Sequence, residues 1–225
     1  STRDKWLDIV ISNLPVGSRI LDAGAGQLRN KPLCSHLDYV SQDFAEFKGN
    51  NPNAPGLGNR GEWDSSGADI ISDITNIPEP SGSFDAILCS EVFEHLPTPI
   101  KALEELTRLL KPGGYLILTA PFNSLTHQAP YFFSTGFSRF FYEYWCEMNS
   151  LEIIELSENG NYFEYVAQEL RRLKSVGDKY SNYKLNQWEN LLIGIFLRLL
   201  NKLSNNDNGS DELLCFGFHL LAVKK

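Results

Sequence analysis

The sequence predicts an α/β fold, a doubly wound and mostly parallel β-sheet with helices on both faces. Helical and strand-like segments alternate along the first half of the 225-residue chain. The strand-like segments are short and apolar on both faces, which is typical of parallel sheets that helices cover. In such folds a ligand binds outside the carboxyl ends of the strands, so the functional residues are expected there.

The predicted elements begin with a helix and continue with a strand. Trp6, Val10 and Leu14 recur at helical spacing, and Gly17 follows that helix before an apolar run. A later helix begins at Thr98, a typical N-cap residue that is followed by proline. We expect strands over residues 18–22, 39–43, 68–72, 84–89 and 115–120.

Two segments do not fit this alternation. Residues 49–67 are rich in Gly, Asn and Pro, which predicts a long surface loop. Residues 161–204 carry two amphipathic helical patterns, which we interpret as a helical insertion that covers the sheet. We favour this interpretation over a membrane-surface helix because the second helix offers only Lys184, Arg198 and Lys202 as basic residues.

The composition indicates one globular domain over residues 1–225, since 42% of the residues are hydrophobic and 21% are charged. The four cysteines lie far apart without metal-binding spacing, which indicates reduced thiols and predicts a cytoplasmic protein. The most apolar stretch, residues 191–200, contains Arg198 and is too short to span a bilayer. The net charge of -8 argues against nucleic acid as the partner.

A glycine turn lies where the first predicted strand is expected to lead directly into a helix. Gly24 and Gly26 lie two residues apart, so the backbone can approach a nucleoside without a Cβ in the way. The dinucleotide-binding pattern requires a third glycine, and Arg29 occupies that position. Asp22 precedes the turn, where it would repel a pyrophosphate, so a ligand that carries positive charge fits this turn better.

Two further carboxylates follow the next two strands. Asp43 ends the second strand, at the position where a carboxylate accepts hydrogen bonds from both ribose hydroxyls. Asp73 follows the third strand, where it can accept the adenine amino group while Ile74 packs on the ring. Three acidic strand ends without a phosphate-binding group describe S-adenosylmethionine, which carries a sulfonium and an ammonium and no phosphate.

Five stretches of the sequence, in order, carry a family resemblance. They are residues 20–26 (ILDAGAG), Asp43, residues 73–78 (DITNIP), residues 83–96 (SFDAILCSEVFEHL) and residues 109–121 (LLKPGGYLILTAP). With these motifs the sequence resembles class I S-adenosylmethionine-dependent methyltransferases of the group called type 11.

The resemblance implies a Rossmann-like seven-stranded sheet whose last strand is antiparallel. Residues 152–156 and 214–223 then supply the sixth and seventh strands, and the helical insertion at 161–204 departs from the shorter connection of many members. The cofactor S-adenosylmethionine, with S-adenosylhomocysteine as its product, is expected to contact Asp22, Ala23, Gly24, Gly26, Asp43, Phe44, Asp73, Ile74, Ser90 and Glu91.

The segment around His95 is open to three interpretations. Glu91, Glu94 and His95 can share one face of a helical turn, and His127 can add a fourth ligand for a divalent metal. Some small-RNA and quinone O-methyltransferases resemble this spacing and use a metal in that way, although we do not favour the metal here. Alternatively, His95 or His127 acts as the general base for a hydroxyl acceptor. In the third interpretation the segment only shapes the cofactor pocket.

An aromatic segment follows the fifth predicted strand, with nine aromatic residues within fifteen positions from Tyr131. Such a segment can line an acceptor pocket, and His127, Tyr131 and Arg139 are the candidates for acceptor contact. The competing expectation is that helical spacing turns several of these rings into the core, namely Phe137, Phe140, Phe141 and Tyr144.

By resemblance to methyltransferases of surface-glycan assembly, the acceptor is expected to be the hydroxyl of a small molecule or glycan. Two alternatives from other classes stay open. An NAD-binding oxidoreductase would explain the alternation of elements and Asp43, but the missing third glycine argues against it. A catalytically silent partner protein on the same fold would lose the pocket residues, which this sequence keeps.

Overall fold

A computed structural model describes residues 1–49, 55–57 and 61–225 of the chain. The chain divides into two compact units, of which the first comprises Ser1–Ser157 and Gly217–Lys225. The second unit is Glu158–Phe216, and it contains the helical insertion predicted at 161–204. Among the described residues, no helix combines the length and hydropathy needed to cross a membrane.

Seven strands form one sheet in the order β3-β2-β1-β4-β5-β7-β6. The first five strands pair in parallel, and β7 pairs antiparallel with β5. This arrangement confirms the predicted doubly wound sheet with an antiparallel last strand. The strands are β1 (Arg19–Ala23), β2 (Asp38–Asp43), β3 (Ile70–Ile71), β4 (Phe84–Ser90), β5 (Leu110–Pro121), β6 (Leu151–Asn159) and β7 (Gly217–Lys224).

Five α-helices accompany the sheet in the described parts of the chain. The first is capped by Ser1, whose side chain accepts a hydrogen bond from the Asp4 backbone while Asp4 reaches back to the chain start. The second begins at Pro99, directly after the predicted N-cap Thr98. The helices are α1 (Thr2–Ser12), α2 (Pro99–Leu109), α3 (Arg139–Met148), α4 (Tyr162–Tyr180) and α5 (Gln187–Ser204).

The core lies around the central strands, whose side chains are buried on both faces. Neighbouring residues such as Ile20 and Leu21 on β1, or Ile87 and Leu88 on β4, point to opposite faces and are all fully buried. The double burial explains why the sequence shows apolar runs rather than alternation. The strands therefore hold their carboxyl ends, and the residues that follow them, in fixed positions.

The chain after the glycine turn differs from the sequence prediction. The first strand was expected to lead directly into a helix, but turns follow Gly26 and a short 3₁₀ helix spans Lys31–Cys34. Leu28 has a φ of +58°, which no α-helix accommodates, and Pro32 lies within the first turn of the 3₁₀ helix. Of the predicted loop at 49–67, residues 50–54 and 58–60 lie outside the described part of the chain.

Candidate active site

A cavity of about 820 Å³ opens at the carboxyl ends of the parallel strands, where the fold class predicts a ligand site. Its described lining residues all belong to the first unit. Five of these lining residues are acidic and two are arginines, so the wall favours a ligand that carries positive charge. The charged lining residues are Arg3, Asp4, Arg29, Asp43, Asp73, Glu91 and Glu94.

The glycine turn forms one wall of this cavity. At Gly24, which has a φ of +75°, an added Cβ would lie 2.5 Å from Cγ2 of Val92. At Gly26, with a φ of +51°, it would lie 2.7 Å from the ring of Trp63. The Gly24 backbone N–H also donates to the Gln42 carbonyl at 2.9 Å, which ties the turn to the end of β2. Both positions therefore require glycine for space as well as for backbone conformation.

The replacement Gly24→Ala is expected to lower the free energy of unfolding by roughly 2–4 kcal/mol, because strain at positive φ adds to the collision with Val92. Gly113→Ala is the matched control, since Gly113 has a φ of +76° and open space around its Cα. That variant should lose only about 1 kcal/mol. Chemical unfolding of both proteins measures the difference, and equal losses would show that the Val92 contact relaxes at no cost.

Asp43 lies at the end of β2 beside the glycine turn, and only 5% of its surface is exposed. One carboxylate oxygen accepts a hydrogen bond from the Gly26 backbone N–H at 2.8 Å, and the other accepts from Ala45 at 2.8 Å. A carboxylate can accept about four hydrogen bonds, so its cavity-facing lone pairs remain for two further donors. The turn thus fixes the orientation of the carboxylate that the sequence assigns to the ribose.

Most of the other predicted cofactor residues also line the cavity. Phe44 and Ile74 contribute apolar wall, and the Asp73 carboxylate accepts from the Thr75 backbone and hydroxyl at 2.8 Å each. The Ser90 hydroxyl lies 2.9 Å from the hydroxyl of Thr119. The structure therefore brings together the residues that follow β1, β2, β3 and β4.

Asp22 and Ala23 differ from this prediction, because neither is among the residues that line the cavity. Asp22 is 1% exposed, and its carboxylate accepts a hydrogen bond from the Tyr39 hydroxyl at 2.8 Å. Burial raises the pKa of Asp22 to about 6. The pattern in the sequence could not distinguish this buried carboxylate from one that faces a ligand, since both lie at a strand end.

Glu94, His95 and His127 come together on the cavity wall, although 31 residues lie between His95 and His127 in the sequence. A carboxylate oxygen of Glu94 lies 3.7 Å from Nε2 of His95 and 3.9 Å from Nε2 of His127. One ligand atom from each of the three residues lies within 4.8 Å of the others. We call these three residues the Glu-His-His cluster.

Backbone carbonyls fix both imidazole rings of the cluster. Nδ1 of His95 lies 2.5 Å from the Tyr131 carbonyl oxygen, and Nδ1 of His127 lies 2.9 Å from that of Leu125. Since a carbonyl can only accept, each Nδ1 carries the hydrogen, and in the neutral ring each Nε2 presents a lone pair. Second-sphere contacts of this kind also orient the histidines of metal sites.

Glu94 is the most buried residue of the cluster. Glu94 is 1% exposed, and its second carboxylate oxygen has no hydrogen-bond partner. Burial raises the pKa of Glu94 to about 8 and lowers the pKa of His95 to about 4. Two nitrogen lone pairs and a carboxylate that face one another require a proton or a cation between them. The arrangement is therefore suited to hold a divalent cation or to exchange a proton.

Glu91 does not join this cluster, which corrects the hypothesis of four ligands. Its φ of +57° turns the side chain away, and its carboxylate oxygens meet Nη1 of Arg3 at 3.3 Å and the Thr119 hydroxyl at 3.0 Å. The spacing of Glu91, Glu94 and His95 suggests a common helical face, but only residues 93–95 form a 3₁₀ turn. Glu91 lines the cavity separately, near the chain start.

An aromatic wall closes the cavity on another side, and the sequence analysis identified its residues Phe44 and Tyr131 but not Phe47 or Trp63. Phe47 meets the rings of Trp63 and Tyr131 edge to face, at centroid distances of 5.8 and 6.2 Å. Phe44 makes the same kind of contact with Tyr131 at 5.0 Å. The Arg29 guanidinium lies 5.5 Å from the centre of the Trp63 ring. The signal in the sequence was one tryptophan in a stretch rich in Gly, Asn and Pro, which was interpreted only as a loop.

Fewer residues of the aromatic segment line the cavity than the sequence predicts. Arg139 is not among the cavity-lining residues, and its guanidinium donates to the Leu156 carbonyl at 3.1 Å. Phe140 and Tyr144, expected in the core, are 75% and 55% exposed, whereas Tyr142 is buried. Of the candidates for acceptor contact, only His127 and Tyr131 line the cavity.

Comparison with known proteins agrees with this geometry. Residues 21–118 match the family described as methyltransferase domain. A methyltransferase structure from Archaeoglobus fulgidus, described as SAM-dependent, superposes with a TM-score of 0.59 at 15% identity and covers 99% of this chain and 93% of that one. The family match and the shared fold together support a class I S-adenosylmethionine-dependent methyltransferase domain in this part of the chain.

Curated relatives of the methyltransferase domain match over shorter lengths. A demethylmenaquinone methyltransferase of Paenarthrobacter aurescens is 33% identical over 119 residues, 51% of this chain and 44% of the relative. A ubiquinone biosynthesis O-methyltransferase of Xanthomonas oryzae is 51% identical over 41 residues, 18% of this chain and 17% of the relative. The matched part of the chain thus spans less than half the length of either relative.

Proposed function

We propose that the protein transfers a methyl group from S-adenosylmethionine to a hydroxyl group of a small molecule or glycan. The observation that carries this proposal is a single cavity that contains both the glycine turn with Asp43 and the Glu-His-His cluster. One end thus suits a nucleoside with a cationic side chain, and the other suits activation of an oxygen acceptor. When bound, the cofactor would supply an electrophilic methyl group, which the acceptor oxygen would attack in line as the C–S bond breaks and S-adenosylhomocysteine leaves.

At the cofactor end, residues of the chain bind S-adenosylmethionine and orient it. Asp43 accepts hydrogen bonds from both ribose hydroxyls, while the Gly24–Gly26 backbone leaves room for the methionine portion of the cofactor. Asp73 and Ile74 hold the adenine, with Ile74 only 5% exposed and therefore firmly placed. Phe44, Ser90 and Glu91 complete this end of the wall. Fixing cofactor and acceptor in line lowers the barrier without any further chemical group.

At the acceptor end, we infer that His95 and His127 act together with Glu94, and the geometry favours a divalent cation over a lone general base. Oε1 of Glu94, which lies 3.7 and 3.9 Å from the two Nε2 atoms, offers together with them three ligand atoms around one point. Such a cation, when bound, increases the acidity of an acceptor hydroxyl. Without a cation, one histidine would take the hydroxyl proton at Nε2.

The acceptor class rests on the wall between the two ends. Ring faces and edges that suit a sugar or a flat aromatic ring are offered by Phe44, Phe47, Trp63 and Tyr131. Two curated relatives are named for quinone compounds, and one of these is named an O-methyltransferase. These names support a small-molecule hydroxyl as the acceptor, with a glycan hydroxyl as the alternative.

Calorimetric titration of the purified chain tests the cofactor assignment. We expect S-adenosylmethionine and S-adenosylhomocysteine each to bind at one site, and NADH not to bind, because the acidic wall disfavours a pyrophosphate. Mass spectrometry of ligand released by heat is the companion measurement, since the product of this reaction often stays bound. Tight binding of NADH without binding of either sulfur compound would replace the proposal with a dinucleotide enzyme.

A further inference from the structure

Tyr131 contacts the two ends of the cavity with different atoms. Its backbone carbonyl oxygen lies 2.5 Å from Nδ1 of His95, at the acceptor end. Its ring meets Phe44 edge to face at a centroid distance of 5.0 Å, and Phe44 directly follows Asp43 at the cofactor end. One residue therefore joins a histidine of the Glu-His-His cluster to the chain beside the cofactor carboxylate.

Residues 44–47 hold the side chain of Tyr131 on the cofactor side. Besides the ring contact with Phe44, the Tyr131 hydroxyl donates to a carboxylate oxygen of Glu46 at 3.3 Å. These residues are themselves fixed, because the Ala45 backbone N–H donates to the Asp43 carboxylate at 2.8 Å. Ala45 has a φ of +57°, which a residue with a side chain keeps only where its surroundings hold it. The Tyr131 ring thus rests on a fixed support.

The chain on either side of Tyr131 is held unequally. After it, the Phe133 backbone N–H donates to the Glu94 carbonyl at 2.9 Å, which ties that side to the cluster. Before it, Pro130 is exposed and has no backbone N–H to donate. The contacts of the Tyr131 ring therefore fix the end of this segment that carries the carbonyl facing His95.

The tautomer of His95 depends on this carbonyl. A neutral imidazole carries one hydrogen, and the hydrogen bond at one nitrogen decides the state of the other. With the hydrogen held on Nδ1, Nε2 of His95 keeps a lone pair, 3.7 Å from a carboxylate oxygen of Glu94. With the hydrogen on Nε2 instead, that nitrogen can neither accept a proton nor bind a cation.

We propose that Tyr131 is a positioning residue, whose ring contacts with residues 44–47 keep its carbonyl against His95 and so keep the Nε2 lone pair available to the acceptor end. The inference rests on the proposed function, because it concerns the same histidine. It differs from the direct contact with the acceptor that the sequence analysis expects of Tyr131. It also means that Phe44, far from His95 in the sequence, affects the state of that histidine.

Nitrogen NMR of the histidine side chains in the full chain, without any ligand, tests the proposal. The chain has four histidines, so each signal can be assigned by its own variant. We expect the hydrogen of His95 on Nδ1 in the unmodified chain. Tyr131→Ala should give a mixture of the two tautomers at His95, whereas His127, which the Leu125 carbonyl holds, should stay unchanged. Tyr131→Phe keeps the ring and should keep the tautomer.

Phe44→Ala is an independent variant, since it removes the ring contact and leaves Tyr131 intact. Phe44 is 39% exposed, so the fold should tolerate this change, and His95 should again give a mixture of tautomers. Tyr144→Ala is the matched control, because Tyr144 is 55% exposed in the first unit and does not line the cavity. An unchanged His95 tautomer in both Tyr131→Ala and Phe44→Ala would overturn the proposal.

Steady-state rates separate positioning from direct contact with the acceptor. Tyr131→Ala should lower kcat roughly 10- to 100-fold, because a misplaced group costs about this much, while Tyr131→Phe should keep both kcat and KM. A raised KM for the acceptor in Tyr131→Phe, with an unchanged His95 tautomer in Tyr131→Ala, would assign Tyr131 to acceptor contact instead. Failure of the proposed function would be a separate result, seen as no binding of S-adenosylhomocysteine to the unmodified chain in calorimetry.

Discussion

Replacement of Asp43 by alanine is expected to weaken the binding of S-adenosylmethionine by about 2–4 kcal/mol, or roughly 30- to 700-fold. The loss follows from the role proposed for this carboxylate, which is to accept both ribose hydroxyls while buried beside the glycine turn. Hydrogen bonds to a charged acceptor contribute more than neutral ones, and the alanine leaves both hydroxyls unpaired. Calorimetric titration of the folded variant gives the measurement.

The variant Asp38→Ala is the matched control for this measurement. Asp38 begins the same strand, but its side chain is exposed at the far end from the cavity. Its removal should leave cofactor affinity unchanged. Because Asp43 also accepts from the Gly26 and Ala45 backbones, the thermal transition of Asp43→Ala must be compared with that of the unmodified chain. A folded Asp43→Ala protein with full affinity would contradict the placement of the ribose.

The parts of the fold that depend on local pattern could be predicted from the sequence. Apolar runs around Ile20 and Ile87 identify buried parallel strands, because a strand covered on both faces carries apolar side chains on both. Gly24 and Asp43 could be placed in the site, since the carboxyl ends of adjacent parallel strands meet at one edge. The fold class and most of the cofactor wall follow from these rules.

The remaining features depend on contacts between distant segments. A loop with no regular pattern places Trp63 against Gly26. The segment after the fifth strand brings His127 close to Glu94. Asp22 is buried and does not line the cavity, and its carboxylate accepts a hydrogen bond from Tyr39 on the neighbouring strand. Pairings of this kind are set by tertiary packing, which neither periodicity nor residue spacing records.

The largest effects on turnover are expected at the Glu-His-His cluster. His95→Ala and His127→Ala should each lower the methylation rate roughly 100- to 10,000-fold, with little change in cofactor affinity. Glu94→Gln should match them if a cation is bound, because each change removes one ligand from a shared site. Rates with S-adenosylmethionine and an acceptor found by screening hydroxyl compounds provide the measurement.

Chelation separates the cation from a general base at the same three residues. With a cation, a chelator should abolish turnover, magnesium or manganese should restore it, and binding of manganese alone should be lost in Glu94→Gln. Glu91→Gln should retain manganese binding, because Arg3 and Thr119 hold Glu91 outside the cluster. His36→Ala, a change outside the cavity lining, is the control for the loss of a histidine.

Activity that resists chelation, together with large losses in either cluster-histidine variant, would identify a base. Full activity in both cluster-histidine variants would leave orientation alone to explain the rate.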